Sequence, residues 1–176
     1  MSDATMSETG LSLPAWPGLA GRQISLARAE DIVTGPLRHL YAWWTERCAV
    51  ARPTIADFDI TQFPHLAAHL YLAAPVASGF ELRLAGEEYI RLFGLKKGWI
   101  WHRDASDPVM RDSASLLTFV SQHFQPLHTI GRLELAERHW VELEALICPL
   151  AGATPADSRI LGCVAALDQS VGADLV

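Results

Sequence analysis

Residues 69–86 read HLYLAAPVASGFELRLAG, and the fold is decided there. Leu70, Tyr71, Leu72, Ala73 and Ala74 stand in a row, which predicts a strand, His69–Val76, covered on both faces. Pro75 interrupts it and Ser78–Gly79 closes it. In the second half Phe80, Leu82 and Leu84 alternate with Glu81 and Arg83, the pattern of a half-buried strand over Phe80–Ala85. Two such runs joined by a short turn containing Gly predict a hairpin.

Toward the C-terminus, Gly86 opens a short helix, Glu87–Phe93, ended by Gly94. Leu95–Asp107 reads as irregular and holds Trp99, Trp101 and His102. Asp107 suits a helix N-cap and Pro108 its first position. That helix runs to about Phe124, with Leu116, Leu117, Val120 and Phe124 as its buried face. Three strands follow: Leu127–Leu135, His139–Cys148 and Arg159–Leu167. In the middle one Val141, Leu143, Ala145 and Ile147 alternate with Glu142 and Glu144, which predicts a wet face carrying both glutamates. In the last one both alternating sets are apolar, so both faces must be covered. The first and last of the five strands are therefore expected at the centre of the sheet, and the second and fourth at its periphery.

Toward the N-terminus, Thr54–His65 mixes apolar and acidic residues, with Phe58, Ile60 and Phe63 as anchors. Residues 33–50 form the clearest helix, with Thr34 as its cap and Pro36 in its first turn. Leu37, Leu40, Tyr41, Trp44 and Cys48 share one face. This helix is the nearest cover for the outer face of the central strands, from the same chain or from a partner. Residues 1 to about 30 carry Pro14, Pro17, Gly18 and Gly21 among small polar residues and read as a flexible arm, with Trp16 and Leu19 able to pin it. The domain is then expected over 31–170, with 171–176 as a tail. The fold class is α+β: five antiparallel strands, inserted helices, and an amphipathic helix on the outer face.

Composition narrows the function. Half the residues are hydrophobic and 19% are charged, so the chain can build a core. A net charge of −6, with Arg91, Lys96 and Lys97 as the densest basic spot, argues against nucleic-acid binding. No apolar run reaches the roughly 18–20 residues of a membrane-spanning helix. Residues 1–10 lack a secretory pattern, and Cys48, Cys148 and Cys163 are odd in number and lie in apolar surroundings, which points to reduced thiols in a cytoplasmic protein.

The order of motifs from about Leu37 to Leu167 resembles the PAS fold, and more narrowly the proteobacterial single-domain PAS proteins once catalogued as a domain of unknown function. A Trp-containing helix is followed by Pro53-Thr54-Ile55-Ala56-Asp57, in place of the family's Pro–x–x–x–Asp segment, and then by the turn Phe63-Pro64-His65-Leu66. Arg83-Leu84-Ala85-Gly86 matches an Arg–apolar–x–Gly pattern ending the second strand. Phe93-Gly94, Gly98, Pro149-Leu150 and Leu161-Gly162 match the remaining positions. Glu87 departs from the family, where a small hydroxyl residue is usual, and Gly98–His102 is unusually aromatic. The resemblance implies a signalling module that commonly dimerises through an N-terminal helix. It supplies no ligand, because members of the wider fold bind haem, flavin, organic acids or nothing detectable.

Tyr89, Trp99 and Trp101 are candidates to line a pocket, since aromatic walls with few polar groups suit such cavities, although tryptophans also pack loops onto cores. His123 is a fourth candidate, near the end of the inserted helix where some haem-binding PAS domains place an axial histidine; a surface histidine is the plainer reading. Neither haem nor flavin is expected: no other haem signature is present, and no cysteine stands in the Asn-Cys-Arg-Phe context of a flavin-thiol photosensor. His65 and His69 are four apart, but Pro64 argues against the helix that would align them on a metal, so no metal site is expected. Ser113 and Ser115 lack a strained Gly-x-Ser-x-Gly turn, and Gly94–Gly98 lacks the Lys-Ser/Thr ending of a phosphate loop.

The expected function is a non-catalytic sensory module that binds a small ligand, a protein partner or both and signals through a dimer or docking surface, with Leu37, Leu40, Tyr41 and Trp44 at the interface; a homodimer and a separate signalling protein are the expected partners. A small isomerase- or hydrolase-like enzyme using the cavity is one alternative. A ligand-free interaction scaffold is the other.

Overall fold

The computed structural model describes residues 10–135 and 139–167. In chain order its regular elements are β1 Arg22–Leu26, α1 Gly35–Cys48, β2 Leu70–Val76, β3 Gly79–Ala85, α2 Glu87–Phe93, β4 Ile100–His102, α3 Pro108–His123, β5 Leu127–Leu135, β6 His139–Leu150 and β7 Arg159–Ala166. The strands form one sheet in the order β1-β5-β6-β7-β2-β3-β4, with every pair antiparallel.

The five expected strands are all present, and the α+β architecture holds, but the sheet has seven. Two short strands extend its edges. β4 comes from the segment read as irregular and pairs Phe80 with Trp101. β1 comes from the supposed arm and pairs Arg22 with Gly131 and Leu26 with Leu127. Just before it, Trp16 and Leu19 are buried in the core. Trp16 Nε1 donates to Ser115 Oγ at 3.1 Å, and the ring meets Phe119 edge-on at 5.8 Å. The Gly18 N–H donates to Asp112 Oδ2 at 2.6 Å. A Cβ on Gly18 would stand 2.3 Å from the Pro108 carbonyl oxygen, so this close approach to α3 needs glycine. Residues 16–26 are thus built into the domain. The nine residues before Gly10 and the expected tail lie outside the described residues.

β2 and β7 are central, as their double apolar patterns require. β6 is also interior, between β5 and β7, which corrects its expected peripheral place. The physical reason is Glu144. It is fully buried on the outer face, where its hydrogen bonds replace the water that alternation alone would assign to it.

Two apolar clusters sandwich the sheet. The inner one holds Tyr71, Ala73, Phe80, Leu82, Leu127, Ile147 and Val164 against α2 and α3. α3 begins at Asp107, whose side chain accepts from the Val109 N–H at 3.2 Å, and buries Leu116, Leu117, Phe119 and Val120. Phe124, expected on that face, instead ends the helix with φ +50° and joins the outer cluster beside Trp44. In the outer cluster α1 buries Leu37, Leu40, Trp43 and Trp44 on Leu70, Leu146, Cys148, Leu161, Cys163 and Ala165. The cover over the central strands is therefore the chain's own helix. Pro53–Asp57 docks just past the end of β6: Asp57 and Thr54 form a reciprocal capping box, and the Ala151 N–H donates to the Pro53 carbonyl at 2.7 Å.

Candidate functional site

A cavity of about 280 Å³ lies between the inner face of the sheet and helices α2 and α3. It exists because the floor is made of small side chains. Thr129 on β5, Ala145 on β6 and Val164 on β7 line it where larger residues would fill the space. Beside them, Tyr71 on β2 lies over its cross-strand partner Gly162. A Cβ on Gly162 would stand 2.0 Å from the Tyr71 ring, so the glycine lets the ring lie flat against the strand. The walls are aromatic: Tyr89 and Phe93 from α2, with Trp99 and Trp101 from in and around β4. Tyr89 stacks on Phe93 at 4.8 Å and meets Tyr71 at 4.7 Å, and Tyr71 stands 6.4 Å from Trp101. Exposed Trp99 and Val109 frame the side open to solvent.

Polar groups in this lining are few. The half-buried Arg22 reaches the cavity from β1, its stem against Gly131. Burial lowers its pKa, and the Tyr71 and Tyr89 rings oppose that shift. Among the described residues its guanidinium has no hydrogen-bond or ion-pair partner, and the hydroxyls of buried Tyr71 and Tyr89 have none either. Burial pushes both phenols above their ordinary value, so they stay protonated donors. Ser113 and Thr129 add hydroxyls. Asp107 supplies a carboxylate at the rim, already engaged at the start of α3.

Three of the four pocket candidates, Tyr89, Trp99 and Trp101, line the cavity. His123 does not: it is exposed at the end of α3, its ring 4.4 Å from Phe119. Tyr71 and Arg22 were not singled out by sequence. Tyr71 sits in a run that reads as plain core, and Arg22 in a segment that reads as an arm. The available signal was the alternation of Arg22, Ile24 and Leu26 with Gln23 and Ser25.

The four interface candidates lie on the outer side. Leu37, Leu40 and Trp44 are buried against the chain's own sheet, Trp44 Nε1 donating to the Pro149 carbonyl at 2.8 Å. Tyr41 is half-buried and donates to the Ala27 carbonyl at 3.0 Å. In this form the face is covered within the chain. The start of α1 is held by Glu144, not by the Thr34 side chain, which makes no cap bond. Glu144 Oε1 accepts from the Val33 N–H at 2.7 Å and from His128 Nε2 at 2.8 Å, and Oε2 accepts from the Thr34 N–H at 2.8 Å. Burial alone would raise the Glu144 pKa. The hydrogen bonds from His128, Thr34 and Val33 outweigh it and hold the carboxyl at about 2. Glu144 is thus no solvated surface charge.

His65 and His69 do not converge on a metal. His65 Nε2 lies 2.7 Å from His39 Nδ1, and His69 Nδ1 lies 2.9 Å from the Val164 carbonyl. Among the described residues no three His, Cys, Asp or Glu side chains cluster as metal ligands. Cys48, Cys148 and Cys163 are free thiols, and none lines the cavity. No helix among the described residues is long and apolar enough to cross a membrane.

No family model matches the chain, and no curated protein matches it. Solved structures do. A Rhodobacter sphaeroides LOV protein is 17% identical, over 65% of this chain and 71% of that one, with a TM-score of 0.44. A fungal LOV domain photoreceptor is 14% identical, over 73% of this chain and 91% of that one, also at 0.44. An RNA-binding light-oxygen-voltage receptor is 18% identical, over 65% of this chain and 36% of that one, at 0.41. At such scores the overlap is loose, and the fold assignment rests on strand order and element placement. A seven-stranded antiparallel sheet with β2 and β7 near its centre, helices inserted after β3, and a helix across the outer face give this chain a PAS-like fold.

Proposed function

We propose that this domain is a sensory module whose cavity takes a small organic molecule and whose output passes to a partner. The observation that carries this reading is a set of polar side chains lining the cavity with no hydrogen-bond partner among the described residues: Arg22, Tyr71 and Tyr89. Donors that face a cavity and not a protein acceptor fit a site completed by a ligand. The same lining favours binding over catalysis. Its polar groups are donors and a cation, and Asp107, the carboxylate at its rim, is engaged at a helix start. Proton transfer would need a positioned base as well.

β6 offers a route for output. Ala145 lines the cavity, and its neighbour Glu144 holds the first residues of α1 on the opposite face. A ligand that presses on β6 shifts the grip on α1 if it binds the two positions of that helix with different affinity. A partner, whether a second copy or another signalling protein, then meets the apolar face of α1, including Leu37, Leu40 and Trp44, when the helix moves. Free thiols, with Cys148 and Cys163 buried, fit work in the cytoplasm.

Native mass spectrometry of freshly purified protein tests the reading. A retained small molecule is expected, lost on gentle unfolding. A clean mass, together with no ligand-dependent change in hydrogen exchange over α1, would reject it in favour of the interaction scaffold.

A further inference from the structure

We infer that the cavity selects a monocarboxylate with a flat aromatic body, and that Arg22 is the residue that recognises the acid. This rests on the cavity being a ligand site, as proposed above.

The charge is set by the lining. Among the described residues Arg22 is the one Lys or Arg lining the cavity, and it has no ion-pair partner there. A guanidinium is the group suited to a planar, two-oxygen anion, because its donors form a matching fork. Burial, which weakens its hydration, makes an incoming anion more valuable there than in water. One cation answers one charge. A phosphate dianion calls for a second, and Lys96 and Lys97 are exposed and outside the lining. The Tyr71 and Tyr89 hydroxyls add neutral donors to the same anion.

The body is set by the walls. Phe93, Tyr89, Tyr71 and Trp101 form a chain of neighbouring rings, which offers stacking faces to a flat apolar group. A volume of about 280 Å³ is nearly twice the ~150 Å³ of a cavity that binds one benzene. Two fused rings with a carboxylate are of that scale. Asp107 at the rim disfavours an anion left at the mouth, so the acid enters first and the rings follow toward Trp99.

The probe pair is 2-naphthoate and 2-naphthamide, matched in shape and differing in charge. Dissociation constants are measured by calorimetry on the full chain at neutral pH. The acid is expected to bind at least about tenfold more tightly than the amide, the scale of one charge-assisted hydrogen bond. Arg22→Gln should remove that preference by weakening the acid far more than the amide. Arg22→Lys, which keeps the charge and loses the fork, should retain part of it, and it serves as the test if the glutamine variant does not fold. Equal binding of the two probes by the wild type, or a preference that survives Arg22→Gln, overturns the assignment. So does failure of the acid to bind a protein that retains a neutral or cationic molecule on purification; the cavity would then remain a ligand site of another chemistry. If neither probe binds and nothing is retained, both readings fall.

Discussion

The two faces of the sheet handle buried polarity in opposite ways. On the outer face Glu144 is enclosed, and each of its oxygens accepts from named donors: the Val33 and Thr34 amides and His128. On the inner face Arg22, Tyr71 and Tyr89 line a cavity with no partner among the described residues. A closed polar cluster fixes one arrangement of the chain; an open one leaves energy to be gained from a further molecule. The outer face is therefore read as structure and the inner face as a site. Substitutions that separate them should show large losses outside and small ones inside.

The largest effect is expected at Glu144. Glu144→Ala leaves His128 and two amides at the start of α1 without an acceptor. Removing one member of such a buried cluster costs about 3–5 kcal/mol. Urea unfolding of the variant should show that loss, and hydrogen exchange should place the new openings at the start of α1. A loss below about 1 kcal/mol would mean the carboxylate is not holding the helix.

Acid should reproduce part of this in the wild type. The folded Glu144 carboxyl is held at about 2, below its ordinary 4.5. The unfolded chain therefore binds the proton more readily. The contribution is complete above about pH 4.5 and is lost as pH falls through that value toward 2. Integrated over that window it amounts to about 3 kcal/mol. Half-buried Asp57 and exposed Asp59 are also held low, by hydrogen bonds from Thr54 and Thr61, so the wild-type slope is shared. Glu144→Gln isolates one part of it: its stability should fall less steeply than the wild type's between those pH values. Parallel curves would remove Glu144 from the account.

What the sequence disclosed follows the same division. Long, regular patterns were legible: α1 and α3, the β2–β3 hairpin, and the double apolar runs that put β2 and β7 at the centre. Partnerships across the chain were not. Glu144 reads as a wet residue because its burial depends on Val33 and Thr34, more than a hundred positions away. β1 and β4 are five and three residues long, too short for alternation to stand out, and each is held by an edge already formed. Of the site, the aromatics Tyr89, Trp99 and Trp101 were legible by type. The cavity was not, because it arises where Thr129, Ala145 and Val164 from three strands stand together as a low floor. Arg22 could be found only once β1 was recognised as a strand.

The smallest effect, and the finest test of the contrast, compares two tyrosines. Tyr41 donates to the Ala27 carbonyl on the outer side, whereas the Tyr89 hydroxyl opens into the cavity without a partner among the described residues. Tyr41→Phe should cost about 1 kcal/mol, the net worth of an ordinary hydrogen bond. Tyr89→Phe on ligand-free protein removes no such bond and should stay within about 0.5 kcal/mol of the wild type. The contrast sharpens on adding ligand. A molecule that accepts from Tyr89 stabilises the wild type through mass action and stabilises Tyr89→Phe less, while Tyr41→Phe gains as much as the wild type. Thermal melts of the three proteins with and without the retained molecule measure all of this. If Tyr89→Phe lost as much as Tyr41→Phe without ligand, the hydroxyl would already be satisfied, and the inner face would be as closed as the outer one.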